Sequence, residues 1–282
     1  MAPLSFDTIG PIPPDSPVVI SVPHAGRDYP LQLRAAAAVP VESMIALEDR
    51  HVDTVALSAV RGETLFVQRL ARAWIDLNRA EDERDPVIDE GARALPAHAS
   101  STKLRSGLGL VPRRAAPGVA IWRRRLGDDE VRWRIANHHR PYHAAVAEAL
   151  DAARRRFGSA LLIDLHSMPP IPRSDPPRIV IGDRFGQSAA SRLVHRLESE
   201  VAAAGYDVAI NSPYPGGHVL ARHGRPGLNV HAIQIEIDRT VYLDAAMLEP
   251  GAGLAATAAL LRRVIDAATD ELLSGGQLMA AE

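Results

Sequence analysis

The chain is constrained first by its short, largely apolar runs, which are too brief for buried helices and are rich in β-branched residues. Residues 17–22 (PVVISV), 160–165 and 178–181 are of this kind, and residues 230–237 (VHAIQIEI) alternate in the manner of a strand. Residues 64–70 and 73–77 read as two further strands, and 206–210 as another. Between them lie stretches with helical spacing at 44–60, 141–156, 187–204 and 254–273, with Pro141 at the start of the second and Gly158 and Gly205 closing the second and third. Strands interleaved with helices in this way predict an α/β fold. Its central sheet should be mixed but largely parallel, with helices on both faces.

The 282 residues suffice for one full hydrophobic core and predict a single elaborated domain over 1–282. Residues 1–16 carry four prolines and read as a draped arm, and residues 80–127 as a long irregular loop or lid. A net charge of −2 and 23% charged residues point to neither nucleic acid nor a membrane surface as the partner. No apolar run reaches the roughly 18–20 residues of a spanning helix, and no signal-like segment opens the chain, so a cytoplasmic protein is expected. Oligomeric state leaves no trace in the sequence.

In such sheets ligands gather beyond the carboxyl ends of the strands, so polar residues there are the candidates for chemistry. The chain has no cysteine, and any metal must therefore be held by His, Asp or Glu. His24 follows the first apolar run and precedes Gly26. His166 follows Asp164 by two residues on one strand, so Asp164 faces the same way and can orient the imidazole. A hydrolytic zinc needs a third protein ligand. If residues 44–60 are one helix, Asp49 and Asp53 share a face that His51 does not, which favours either carboxylate over His51.

Asn78 and Arg79 at a strand end suit a substrate carboxylate, although a salt bridge with Asp76 is the plain alternative. Glu236 sits in a largely apolar strand, alternating with Ile235 and Ile237. Burial would raise its pKa toward the range of a general base, unless it simply pairs with an Arg such as Arg222. Residues 216–225, with Gly217, Arg222 and His223, offer a donor-rich segment that could close over an anion. Nine arginines between Thr102 and Arg140 read either as an electropositive entrance or as an ordinary salt-bridged surface.

Seven short segments in order resemble the N-formylglutamate amidohydrolase family: SVPHAG (21–26), EDRHVD (48–53), IDLNR (75–79), RPYHAA (140–145), IDLHS (163–167), GGHVLARHGRP (216–226) and VHAIQIEI (230–237). The resemblance implies a fold shared with zinc carboxypeptidases and aspartoacylase-like deacylases, and hydrolysis of a small N-acyl acidic amino acid such as N-formyl-L-glutamate. It implies one zinc ion on His24, Asp49 and His166, a substrate grip from Asn78 and Arg79, and Glu236 as general base. Arg222 would be a catalytic contact, and His223 and Gly217 substrate contacts. Arg50, Ala80 and His218 depart from the family pattern and leave the acyl group and amino acid open. Another zinc deacylase, or a non-catalytic small-acid binder on the same fold, would share most of these features.

Overall fold

The computed structural model describes residues 4–93 and 101–279. In chain order the strands are β1 (Phe6–Ile9), β2 (Val18–Val22), β3 (Thr64–Gln68), β4 (Arg114–Ala116), β5 (Val119–Ala120), β6 (Ala160–Met168), β7 (Ile179–Gly182), β8 (Val208–Ile210) and β9 (Val230–Asp238). The α-helices are α1 (Leu31–Ala36), α2 (Val52–Ala59), α3 (Thr102–Arg105), α4 (Asp128–Arg134), α5 (Arg140–Phe157), α6 (Ser191–Ala203), α7 (His218–His223) and α8 (Leu254–Met279). They form two compact units that interleave in sequence. The first is Met1–Asp7, Pro23–Glu48 and Gln68–Ala144; the second is Thr8–Val22, Asp49–Val67 and Ala145–Glu282. Among the described residues no helix is long and apolar enough to cross a membrane.

The expected sheet is present, with seven strands in the order β1-β3-β2-β6-β9-β7-β8. β2 runs parallel to β3 and β6, β6 parallel to β9, and β7 parallel to β8, while β7 and β9 are antiparallel. Every residue of β2, β6 and β9 is buried, so both faces of the sheet centre are covered. In the second unit α2 and α8 pack on β2 and β6, α7 on β6 and β9, and α6 on β7 and β8. The alternation in residues 230–237 therefore does not separate a wet face from a dry one. Gln234 and Glu236 are buried along with their isoleucine neighbours.

Several expected elements take another form. The N-terminal arm is partly ordered as β1. Residues 44–60 are not one helix: Val41–Leu47 is a 3₁₀ segment, the chain then turns, and α2 begins after His51, whose backbone is left-handed at φ 57°. Asp49 lies in that turn and Asp53 in the first turn of α2, so they share no helix face. Residues 73–77 form turns instead of a strand. Two of their carbonyls are taken by side chains of the first unit, with Arg134 donating to Trp74 O (3.0 Å) and His143 to Leu77 O (2.9 Å). His139 does the same for Arg79 O at 2.8 Å, so the buried segment needs no strand neighbour.

Residues 80–127 carry α3 and the β4–β5 hairpin in place of a purely irregular loop; residues 94–100 lie outside those described. Pro141 is the second residue of α5, as the sequence predicts, but the helical run does not begin there. Pro141 follows a π-helical turn, Ile135–His139, within a continuous helical run from Asp128 to Phe157. Proline has no N–H to donate up the helix, and the widened turn just before it accommodates the missing bond.

In the second unit α8 is tied to the end of α2 by Arg262, which donates to Ala59 O (3.2 Å) and to Glu63 (3.0 Å). Burial by itself would raise the Glu63 pKa, but the Arg262 hydrogen bond and the backbone amides of Arg61 and Gly62 outweigh it and bring it down from 4.5 to about 2. A depressed folded-state pKa stabilises the protein above the unfolded value and is lost as pH falls through the folded one. Wild type should therefore lose about 2 kcal/mol between pH 4.5 and pH 2 through this group, after allowance for solvent screening. Urea unfolding of Glu63→Gln should be correspondingly flatter over that window, and identical pH slopes would remove Glu63 from the account.

Candidate active site

In the second unit a polar stripe crosses three neighbouring strands on one face of the sheet. The register pairs Ser21 with Asp164, Asp164 with Gln234, and His166 with Glu236, so the stripe runs from the middle of β6 and β9 toward their carboxyl ends. Ser21 donates to Asp164 Oδ1 (2.8 Å), and His166 Nε2 lies 2.8 Å from Asp164 Oδ2, as their shared face requires. His166 Nδ1 lies 3.1 Å from Asp49 Oδ2. Gln234 donates to Glu236 Oε1 at 3.0 Å.

A neutral imidazole carries one N–H and can satisfy only one carboxylate as donor. His166 meets two, so a positive charge belongs on one side of the ring. Burial would lower its pKa, but Asp164, Asp49 and Glu236 outweigh burial and move it well above the ordinary value of 6.5. A metal cation between Nδ1 and Asp49 would supply the same charge, with Nε2–H donating to Asp164 to fix the tautomer. The donor set thus fits a metal.

Arg239, just past the end of β9, holds the other oxygen of Asp49: one terminal nitrogen donates to Oδ1 at 3.2 Å, and Nε donates to Ser167 Oγ at 3.1 Å. Tyr242 donates to Arg50 O (2.7 Å) and so secures the turn that carries Asp49. Gly182 on β7 pairs with Gln234, and a Cβ there would sit 2.7 Å from Tyr214 O and from the Pro215 carbonyl carbon. Only glycine lets the 214–215 backbone approach this closely. Burial raises the pKa of the Tyr214 hydroxyl, as do the charges of Glu236 and Asp49.

The first unit has its own buried cluster. His24 Nε2 lies 2.7 Å from Asp76 Oδ1, which also accepts from Asn78 N (2.8 Å), while Arg72 donates to Asp76 Oδ2 (2.8 Å). Asp76 is fully buried. Burial opposes its ionisation, but Arg72, His24 and Arg79 prevail and hold its pKa well below 3.8. At His24, as at His166, Nε2 lies within hydrogen-bonding distance of a buried aspartate. Arg79 is buried, its Nε donating to Leu108 O (2.7 Å), and burial lowers its pKa despite the Asp76 charge.

His24, Asp49 and His166 are all buried and are of residue types able to bind a metal ion. Asn78 and Arg79 are buried beside Asp76. In the second unit His223 is buried on α7, with Gly217 at the N-cap of that helix, whereas Arg222 is exposed on it and is no buried partner for Glu236. Sequence reasoning passed over Arg239 and Tyr214. Arg239 follows a buried strand directly and met the strand-end criterion; Tyr214 is in an irregular loop with no such signal.

A family model described as N-formylglutamate amidohydrolase matches residues 16–243. The chain belongs to the N-formylglutamate amidohydrolase family. Among curated proteins it is 31% identical to the N-formylglutamate deformylase of Pseudomonas aeruginosa, over 93% of this chain and 94% of that one. It is 30% identical to the N-formylglutamate deformylase of Pseudomonas putida, over 81% and 82% of the two chains. The crystal structure of N-formylglutamate amidohydrolase from Ralstonia eutropha JMP134 superposes with a TM-score of 0.87 at 34% identity, covering 97% of this chain and all of that one. The family match spans all seven segments, ending five residues after Asp238. As an N-formylglutamate amidohydrolase family member, the chain keeps its candidate residues within the part that defines the family.

Proposed function

We propose that this chain hydrolyses the amide bond of N-formyl-L-glutamate, or of a closely similar N-acyl acidic amino acid, with one zinc ion held by His24, Asp49 and His166. Products from the formyl substrate are formate and L-glutamate. Family membership and the names of the relatives support the substrate class. The observation that carries the reading is the His166 imidazole set between two carboxylates, with Glu236 beside it in register on the neighbouring strand. His24 lies two residues beyond the end of β2, the strand adjoining β6.

When bound, zinc would polarise the amide carbonyl and make water a usable nucleophile near neutral pH. Glu236 accepts the proton of the attacking water and returns it to the departing nitrogen, so the C–N bond breaks to give a free amine. Its strand position fixes the carboxylate, and the Gln234 hydrogen bond orients it. With the metal bound, Nε2–H of His24 would donate to Asp76 and that of His166 to Asp164, which would fix the orientation of each ring. Asn78 and Arg79 bind the substrate carboxylate. Arg222, His223 and Gly217 belong to the segment that contacts substrate, Arg222 serving the developing oxyanion once the substrate is bound.

Metal content measured beside formate release from N-formyl-L-glutamate tests the whole reading. One zinc per chain and one formate released per substrate consumed are expected, and undiminished formate release from the metal-free chain would defeat the zinc assignment. Arg79→Ala should raise KM for the acidic substrate by about tenfold or more, with a smaller change in kcat. An equal loss on a neutral formamide would take the carboxylate grip away from Arg79.

A further inference from the structure

The first unit contains a second concavity that the hydrolytic reading does not use. It has a volume of about 420 Å³ and is lined by Arg113, Arg114, Arg123, Arg124, Arg125 and Trp122. That volume is within the range of small-molecule sites, roughly 300–1,000 Å³. Among the described residues no carboxylate lines it.

The guanidinium groups are only partly neutralised. Arg113 pairs with buried Asp85 (2.8 Å), and Arg124 with Glu130 (3.1 Å). Arg123 and Arg125 are instead anchored on backbone carbonyls: Arg123 Nε donates to Ala37 O (2.6 Å), and Arg125 to Pro86 O (3.1 Å) and Asp89 O (3.0 Å). A carbonyl fixes a guanidinium in place without cancelling its charge, and each fork has further N–H donors beyond those used. Arg114 is exposed on β4. The hairpin and the 121–126 segment thus gather about three uncompensated positive charges around one hollow, two of them pre-positioned. The indole of Trp122 is itself fixed by donation to Pro112 O (2.8 Å).

We infer that this arginine-lined hollow is a binding site for a small, multiply charged oxyanion, bound by charge-assisted hydrogen bonds from several guanidinium forks. Phosphates and polycarboxylates share that chemistry. The inference does not rest on the hydrolase reading.

Calorimetric titration of the full-length protein with pyrophosphate and, separately, with citrate tests it. Saturable binding of one anion per chain is expected. The better-bound anion assigns the natural ligand to phosphates or to polycarboxylates, and either outcome supports the site. Arg114→Glu should weaken binding by about tenfold or more. Arg155→Glu, an exposed arginine on α5 in the second unit, changes net charge equally and should have little effect. Since Arg114 is exposed, its replacement should leave the thermal transition in place, and a melting curve checks this. Absence of saturable binding would overturn the inference, as would equal weakening by the two substitutions.

Discussion

Glu236→Gln should bind as much zinc as wild type and release formate about 10²–10⁴-fold more slowly, the usual cost of removing a general base. Gln is nearly isosteric, and its side-chain oxygen can still accept from Gln234, so the strand keeps its packing and its hydrogen bond. What disappears is the ability to take a proton. The loss should therefore fall on kcat with KM little changed, because Glu236 is assigned no part in gripping the substrate carboxylate. Stopped assays of formate release, with metal analysis on the same preparation, make the comparison. Near-normal turnover in the variant would mean that another group accepts the proton.

His166→Ala should do more damage, because it affects both the metal and the fold. One of three proposed ligands is lost, and two buried aspartates lose the group that stands between them. Asp164 retains the Ser21 hydroxyl and Asp49 retains Arg239, so neither carboxylate is stranded entirely. Breaking such a buried pairing costs about 3–5 kcal/mol. After desalting, the variant should hold less than a tenth of the wild-type zinc, and its urea midpoint should fall well below that of the wild-type protein. A variant that kept full zinc content while unfolding earlier would reduce His166 to a structural residue.

The sheet was legible in the sequence because its strands are short, largely apolar runs, and such runs belong to strands buried on both faces. The same property concealed which face of β9 mattered, since Glu236 and Ile235 are equally enclosed. The antiparallel step between β7 and β9 had no local signature, because strand direction is set by connections rather than by composition. Residues 73–77 misled because their apolar composition is that of a strand, while their carbonyls are bonded by His143, Arg134 and the neighbouring His139 pairing, which come from about sixty residues away.

Contacts within the candidate site were legible wherever a short motif carried them. Asp164 before His166 is an example, since two residues on one strand must share a face. Asp49 could not be separated from Asp53 by helical geometry, because the helix assumed there stops at a left-handed His51. Asp76 as the partner of His24 depended on a tertiary contact across 52 residues, which no periodicity encodes. Arg239 was within reach of the strand-end argument, but the carboxylate three residues earlier drew the attention.

The pairing of His166 with Glu236 bears on folding fidelity as well as chemistry. A strand with one wet face corrects its own slippage, because a shift of one residue exposes its apolar side chains. β6 and β9 are enclosed on both sides, and a slip would leave them about as oily as before. The energy that rejects misregistered sheets must therefore come from the few polar groups that would lose their partners: Ser21 from Asp164, His166 from its two aspartates. In this chain the residues proposed for catalysis also act as the proofreaders of assembly. A substitution among them can then lower the yield of correctly paired protein even where the fold of each surviving molecule is unchanged.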